Sequence, residues 1–269
     1  MERAPTSAGG DADTPTVAVV DYGLGNLHSV TRGLERAGAT VEITADPDLF
    51  HAADGVVLPG VGAFREGVEN AEPIREELVA VADGSTPIFG ICLGMQMLLT
   101  DSEEGQSAGE SAVRGLDLIP GTNVRFDGDR KVPHMGWNDL TVVRSHPIVS
   151  GVSGAKADHT SDAGEDDDGS DDGVHDGGSV DDWSDDGVHD GGSVNGGSVD
   201  GEYAYFVHSF YAVPDDDGAV VATADYGGPF PAVIADESGT VFGTQFHPEK
   251  SGVVGLRMLS NFVDCCTRS

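Results

Sequence analysis

The chain has 269 residues, with 14 Lys and Arg set against 47 Asp and Glu, for a formal net charge of −33. So large an acidic excess argues against nucleic acid and anionic membrane as partners and fits a heavily hydrated surface of the kind suited to high-salt cytoplasm. The three cysteines, Cys92 and the adjacent Cys265 and Cys266, form no disulfide framework and point to a reducing, cytoplasmic compartment, and no apolar run is long enough to span a membrane.

Residues 1–15 lack the apolar stretch of a signal peptide and read as a disordered tail. Thr16–Val20 reads as a buried strand ending in the loop Asp21-Tyr22-Gly23-Leu24-Gly25-Asn26. Leu27, Val30, Leu34 and Ala37 then recur at helical spacing up to Gly38. Val41 and Ile43 suggest a second strand, and Gly55–Leu58 a third, followed by Pro59-Gly60-Val61-Gly62-Ala63-Phe64. Residues 65–82 predict an amphipathic helix broken or restarted near Pro73. A fourth buried strand, Pro87–Ile91, leads into a helix over Leu93–Leu99. Strands alternating with helices imply βαβ units and a parallel sheet, whose sites lie at the carboxyl ends of the strands.

From Gly115 the pattern changes to short alternating runs. Asn123–Phe126, Leu140–Val143, Tyr205–Tyr211, Ala219–Ala224, Ala232–Ala235 and Val241–Gln245 read as strands joined by turns. A helix over Val253–Cys266, with Leu256, Leu259, Phe262 and Val263 on one face, closes the chain. Residues 16–269 thus read as a single domain, interrupted by Gly151–Glu202. That segment holds 16 Asp and Glu against one Lys and repeats DDGVHDGGSV at Asp171–Val180 and Asp185–Val194. The repeat matches neither an EF-hand loop nor a calcium-binding nonapeptide, and the segment reads as a disordered, solvated insertion.

Two stretches carry chemistry. Gly90-Ile91-Cys92-Leu93-Gly94, between a strand and a helix, has the form of a nucleophile elbow. The glycines admit the tight turn, and the helix start, with its free N–H groups, favours a thiolate at Cys92. Gly243–Ser251, GTQFHPEKS, follows a strand and places His247 and Glu249 around a proline. A histidine can take the thiol proton while a carboxylate holds the ring in the required tautomer.

With these stretches the sequence resembles the class I (triad) glutamine amidotransferases. Asp21–Asn26 (DYGLGN), Leu58–Phe64 (LPGVGAF), Val132–Asn138 (VPHMGWN) and Tyr205–Phe210 (YFVHSF) narrow the likeness to the glutaminase subunits of imidazole glycerol phosphate synthase, from about Thr16 to about Cys266 without the insertion. The resemblance implies a flavodoxin-like α/β fold, with a mostly parallel central sheet and an added antiparallel section. It implies hydrolysis of L-glutamine, with Cys92 as nucleophile, His247 as base and then acid, and Glu249 as its orienter. Leu93 N–H and the loop of Gly60, Val61 and Gly62 would stabilise the oxyanion. Gln96, His208, Ser209 and Phe210 would hold the substrate; the family often has an aromatic hydroxyl where this chain has Phe210. Asn26, Trp137 and Lys250 would face a cyclase subunit, a (β/α)8 barrel. That partner would use the ammonia to make imidazole glycerol phosphate and aminoimidazole carboxamide ribonucleotide. No metal or cofactor is implied. Two other readings are a different class I amidotransferase, serving pyridoxal phosphate or anthranilate synthesis, against which the PHMGWN stretch argues, and a non-catalytic acidic binding module, which predicts a broken triad.

Overall fold

A computed structural model describes residues 14–105, 112–128, 130–152 and 203–267. The expected tail lies outside them except for Thr14 and Pro15, and the acidic insertion except for Gly151 and Val152. Val152 is buried in the core, so the packed chain runs two residues past the boundary set by composition.

In chain order the elements are β1 (Thr16–Val20), α1 (Leu27–Arg36), β2 (Thr40–Thr44), α2 (Pro47–Ala52), β3 (Gly55–Leu58), α3 (Phe64–Ala71), α4 (Arg75–Ala82), β4 (Ile88–Ile91) and α5 (Leu93–Met97). There follow β5 (Leu99–Ser102), β6 (Val113–Arg114), β7 (Ile119–Arg125), β8 (His134–Asp139), β9 (Thr141–Val142), β10 (Tyr203–His208), β11 (Phe210–Pro214), β12 (Val220–Asp225), β13 (Pro229–Ala235), β14 (Val241–Thr244) and α6 (Gly252–Cys266). A 3-10 turn at Glu72–Ile74 separates α3 from α4, the break expected at Pro73.

The central sheet has the order β2-β1-β3-β4-β14-β13-β12-β9. Its first five strands are parallel, in the 2-1-3-4-5 order of flavodoxin-like sheets, and the last three continue antiparallel. The strands β3, β4 and β14 are buried at every residue, as a sheet covered on both faces requires. Alternation along the strands divides the core in two. Val17, Val19, Val57, Phe89 and Ile91 pack with Val30 and Leu34 of α1 and Met258, Leu259 and Phe262 of α6. Ala18, Val20, Val56, Leu58 and Ile88 pack with Phe50, Phe64, Leu78 and Met95 from α2 to α5.

Three sequence expectations change. The helix after Cys92 ends at Met97, because Leu99 leaves it to pair with Ile119 of β7. The run Tyr205–Tyr211 is two strands: β10 pairs with β8, and after Ser209 the chain switches to pair β11 with β7. Leu256 is 40% exposed, since it lies about 100° around the helix from Gly255 at the centre of the buried stripe. The helix α2, Pro47–Ala52, had no periodic signal; Asp46 caps it and Phe50 anchors it.

Candidate active site

Parallel pairing puts the two chemical stretches side by side. Thr244, the last residue of β14, is in register with Ile91, the last of β4. The chains leaving both strands therefore start as neighbours, and Cys92 N–H donates to the Thr244 carbonyl at 2.8 Å. At Cys92 the backbone turns with φ 54° and ψ −106°, a positive φ that costs a non-glycine residue about 1–3 kcal/mol. Gly94 permits the turn because a Cβ there would overlap the Leu58 carbonyl, and a Cβ at Gly90 would stand 2.7 Å from the Met95 backbone.

His247 opens the turn after β14 and is 4% exposed. Its N–H donates to the Tyr205 carbonyl of β10 at 3.1 Å. The Ser251 hydroxyl donates to the His247 carbonyl at 2.6 Å and accepts from Tyr205 N–H at 2.9 Å, tying base turn and strand together. The imidazole Nδ1 meets Glu249 Oε1 at 3.0 Å, which leaves Nε2 for the thiol. Burial lowers the His247 pKa, but hydrogen bonds to Cys92 and Glu249, and their charges, outweigh it and raise it to about 9.

Cys92 and His247 open on a cleft of about 300 Å³, which Val61, Gly62, Leu93, Gln96, His208, Ser209, Phe210 and Lys250 also line. Of the expected residues, Glu249 stands behind His247, its side chain 1% exposed, and Gly60 packs behind the elbow, where a Cβ would come within 2.8 Å of Gly94 N. The Pro59 end of the glycine loop is clamped by the Tyr22 hydroxyl, which donates to the Pro59 carbonyl at 2.5 Å. Burial, and then the charge of Cys92, raise the Tyr22 pKa and keep this donor protonated. Val61, further along the loop, is 40% exposed.

The corner between β10 and β11 supplies the opposite wall. The His208 Nδ1 donates to the Phe210 carbonyl at 2.8 Å, so its Nε2 accepts from His134 Nδ1 at 3.0 Å. Burial lowers the pKa of both, to about 3 for His208 and about 4 for His134, and both rings are neutral. Gln96 donates from Nε2 to the same Phe210 carbonyl at 2.9 Å. Its Oε1 remains for a donor in the cleft.

The three residues expected to face a partner stand on separate elements. Lys250 is exposed at the cleft. Trp137, 57% exposed on β8, rests against Tyr205, whose carbonyl holds His247. Asn26 is exposed and its side chain caps α1, accepting from Ser29 N–H at 3.2 Å. Sequence reasoning missed Glu104, Pro133 and Val207 in the cleft wall. Nothing marks Glu104 among 47 acidic residues, whereas Gln245 and Ser251 lay within the stretch already singled out. Among the described residues no cluster of metal-ligating side chains occurs, and no helix is long and apolar enough to cross a membrane.

A nucleophile elbow and a His-Glu pair at the carboxyl edge of a flavodoxin-like sheet are the features of a class I glutamine amidotransferase, and the model of the family "Glutamine amidotransferase class-I" matches residues 18–265. Solved structures of the same fold include PurLQS from Thermotoga maritima (TM-score 0.59, 18% identity, 93% of this chain and 98% of that one) and a glutamine amidotransferase (TM-score 0.58, 18% identity, 93% and 98%). Among curated proteins, imidazole glycerol phosphate synthase subunit HisH of Natronomonas pharaonis is 58% identical over 94% of this chain and 96% of its own length. The HisH subunit of Haloarcula marismortui is likewise 58% identical, over 94% and 96%, and that of Methanosarcina acetivorans 37%, over 93% and 98%. The chain belongs to this HisH family, the glutamine amidotransferase subunits of imidazole glycerol phosphate synthase.

Proposed function

We infer that the chain hydrolyses L-glutamine through Cys92, His247 and Glu249 and passes the ammonia to a cyclase subunit, a (β/α)8 barrel, in histidine biosynthesis. The observation that carries this reading is the buried His247 ring, which meets Glu249 at Nδ1 and leaves its other nitrogen to Cys92 at the cleft.

The chemistry follows from that arrangement. Cys92 Sγ attacks the side-chain carbonyl carbon of glutamine, and the thiol proton goes to His247. The tetrahedral oxyanion is met by Leu93 N–H at the elbow and by the N–H of Val61. His247 returns its proton to the departing amide nitrogen, so that ammonia leaves and a γ-glutamyl thioester remains. Water then attacks the thioester, His247 takes its proton, and glutamate and the free thiol are regenerated. Glu249 holds the imidazole throughout. At the other end of the substrate, the Gln96 Oε1 and the Glu104 carboxylate offer acceptors for the α-ammonium group. Glu104 is held in place by Phe64 N–H at 2.7 Å. His208, Ser209 and Phe210 form the wall beside the α-carboxylate.

The test is glutamine turnover by the chain with its cyclase partner, in wild type and in Cys92→Ala. Loss of ammonia release in the variant is expected; turnover at the wild-type rate would overturn the mechanism.

A further inference from the structure

With Cys92 read as the nucleophile, one buried residue that the mechanism leaves unused still touches the sulfur. Gln245 is wholly buried just past the end of β14. Its Nε2 lies 3.8 Å from Cys92 Sγ, and its Oε1 lies 3.1 Å from Gln96 Nε2. The two ends of a primary amide have nearly the same shape, so its neighbours decide which end faces the sulfur. Here the deciding group is the Phe210 carbonyl, which can only accept. It takes Gln96 Nε2 at 2.9 Å, beside His208 Nδ1 at 2.8 Å. Gln96 must therefore turn its NH2 end inward, and that same NH2 reaches Gln245 Oε1. Gln245 is left with its own NH2 against the sulfur. Turning Gln96 over would set its oxygen against the Phe210 carbonyl, and turning Gln245 over would set its NH2 against that of Gln96, in a buried space.

The sulfur thus has partners of opposite kind. The Val207 carbonyl, 3.9 Å away, can accept only from the thiol. The Gln245 amide donates, and a donor favours the thiolate. We propose that Gln245 is a further catalytic residue of this site. Its side-chain amide donates to the Cys92 sulfur and stabilises the attacking thiolate, and the Phe210 carbonyl sets its orientation through Gln96. The inference rests on the reading of Cys92 as nucleophile.

Two variants of similar side-chain size test it. Gln245→Met removes the donor, and Gln245→Glu replaces it with a carboxyl oxygen. Two readouts apply at one pH: glutamine turnover by the complex with the cyclase partner, and the rate at which iodoacetamide alkylates Cys92, followed on its peptide. Gln245→Met is expected to lower kcat and the alkylation rate together, on the order of tenfold, with KM little changed. Gln245→Glu should alkylate more slowly still. Alkylation of either folded variant at the wild-type rate would overturn the proposal. Wild-type protein labelled with 15N-glutamine gives a reading that needs no variant, because the chain has three glutamines, Gln96, Gln106 and Gln245. The Gln245 side-chain protons should move upfield when Cys92 is alkylated; protons that stay in place would count against the hydrogen bond. Cys92→Ala in the same turnover assay separates the two ideas. Activity surviving there removes the nucleophile, whereas an inactive Cys92→Ala beside a fully active Gln245→Met removes Gln245 alone.

Discussion

The neutral His134–His208 pair makes a residue-scale prediction about acid. Both rings are buried with folded pKa values of about 4 and about 3, below the ordinary 6.5. A histidine whose pKa is depressed by folding contributes stability that is complete above its unfolded pKa and is lost as pH falls through the folded value. The protein should therefore lose stability steadily between pH 6.5 and about 3. Thermal unfolding of His134→Phe across that range should show a shallower fall; an unchanged slope would mean that the pair is not held neutral. At Cys92, a glutamine-analogue electrophile should label the elbow thiol and spare the C-terminal pair. Burial, then the charges of Cys265 and Asp54, push the Cys266 thiol up to about 12, so it stays protonated and unreactive. Mass spectrometry of the labelled peptides distinguishes the sites, and label at Cys265 or Cys266 would contradict the assignment.

At the scale of elements, the elbow depends on how closely α5 approaches β3. The Gly94 α-carbon abuts the Leu58 carbonyl so tightly that a methyl group has no space, and neither backbone can yield without moving a central strand. Gly94→Ala should cost about 1–3 kcal/mol of stability. It should reduce glutamine turnover disproportionately, because it displaces Cys92 and the Leu93 N–H with it. Denaturant unfolding alongside the activity assay checks both parts. A variant with wild-type stability would show that the contact can relax. The ribbon of β8 and β10 joins two other regions. Its outer side carries Met135 and Trp137, 63% and 57% exposed, while its inner side carries His134, Phe206 and His208. One short pair of strands thus connects the exposed face to the wall of the cleft.

For the whole molecule, the partner and the insertion raise separate questions. Free ammonia is wasted, so we propose that turnover is gated by docking of the cyclase subunit. The Pro59 end of the glycine loop is fixed by Tyr22, but Gly62 has φ 108° and Val61 is exposed. A peptide rotation there would bring the Val61 N–H to the oxyanion. A missing donor costs on the order of 3 kcal/mol, about a hundredfold in rate. Glutamine turnover should therefore rise about a hundredfold when the cyclase subunit and its nucleotide are added, and full activity of the isolated chain would refute the gate. The double variant Trp137→Ala, Lys250→Ala should weaken that stimulation. The acidic insertion is expected to be dispensable. Its repeats and scarcity of apolar residues leave little to bury against the entropy of ordering it. Replacing residues 153–202 with a short polar turn, while keeping the buried Val152, should preserve turnover at matched salt. Loss of activity in that deletion would make the segment part of the machinery.

The motifs that sequence reading could find are those in which local chemistry and local geometry coincide. Glycines around Cys92 announce a turn packed too closely for side chains at those positions, and a proline between His247 and Glu249 fixes the histidine beside its carboxylate. The strands β1, β3 and β4 and the helices α1 and α6 were legible from their periods, whereas α2 and β5 were not. What no local pattern encodes is adjacency between distant stretches. The parallel register of Ile91 with Thr244 brings Cys92 and His247 together across about 150 residues, and it exists only once the sheet is assembled. The same holds for Glu104, one acid among 47 until β5 carries its chain to the cleft. The switch of sheets at Ser209 was hidden because β10 and β11 read as one alternating run; only their different partners, β8 and β7, separate them. The sequence by itself determined which residues could do chemistry. Tertiary structure decided which of them meet, because hydrogen-bond register and burial depend on partners far along the chain.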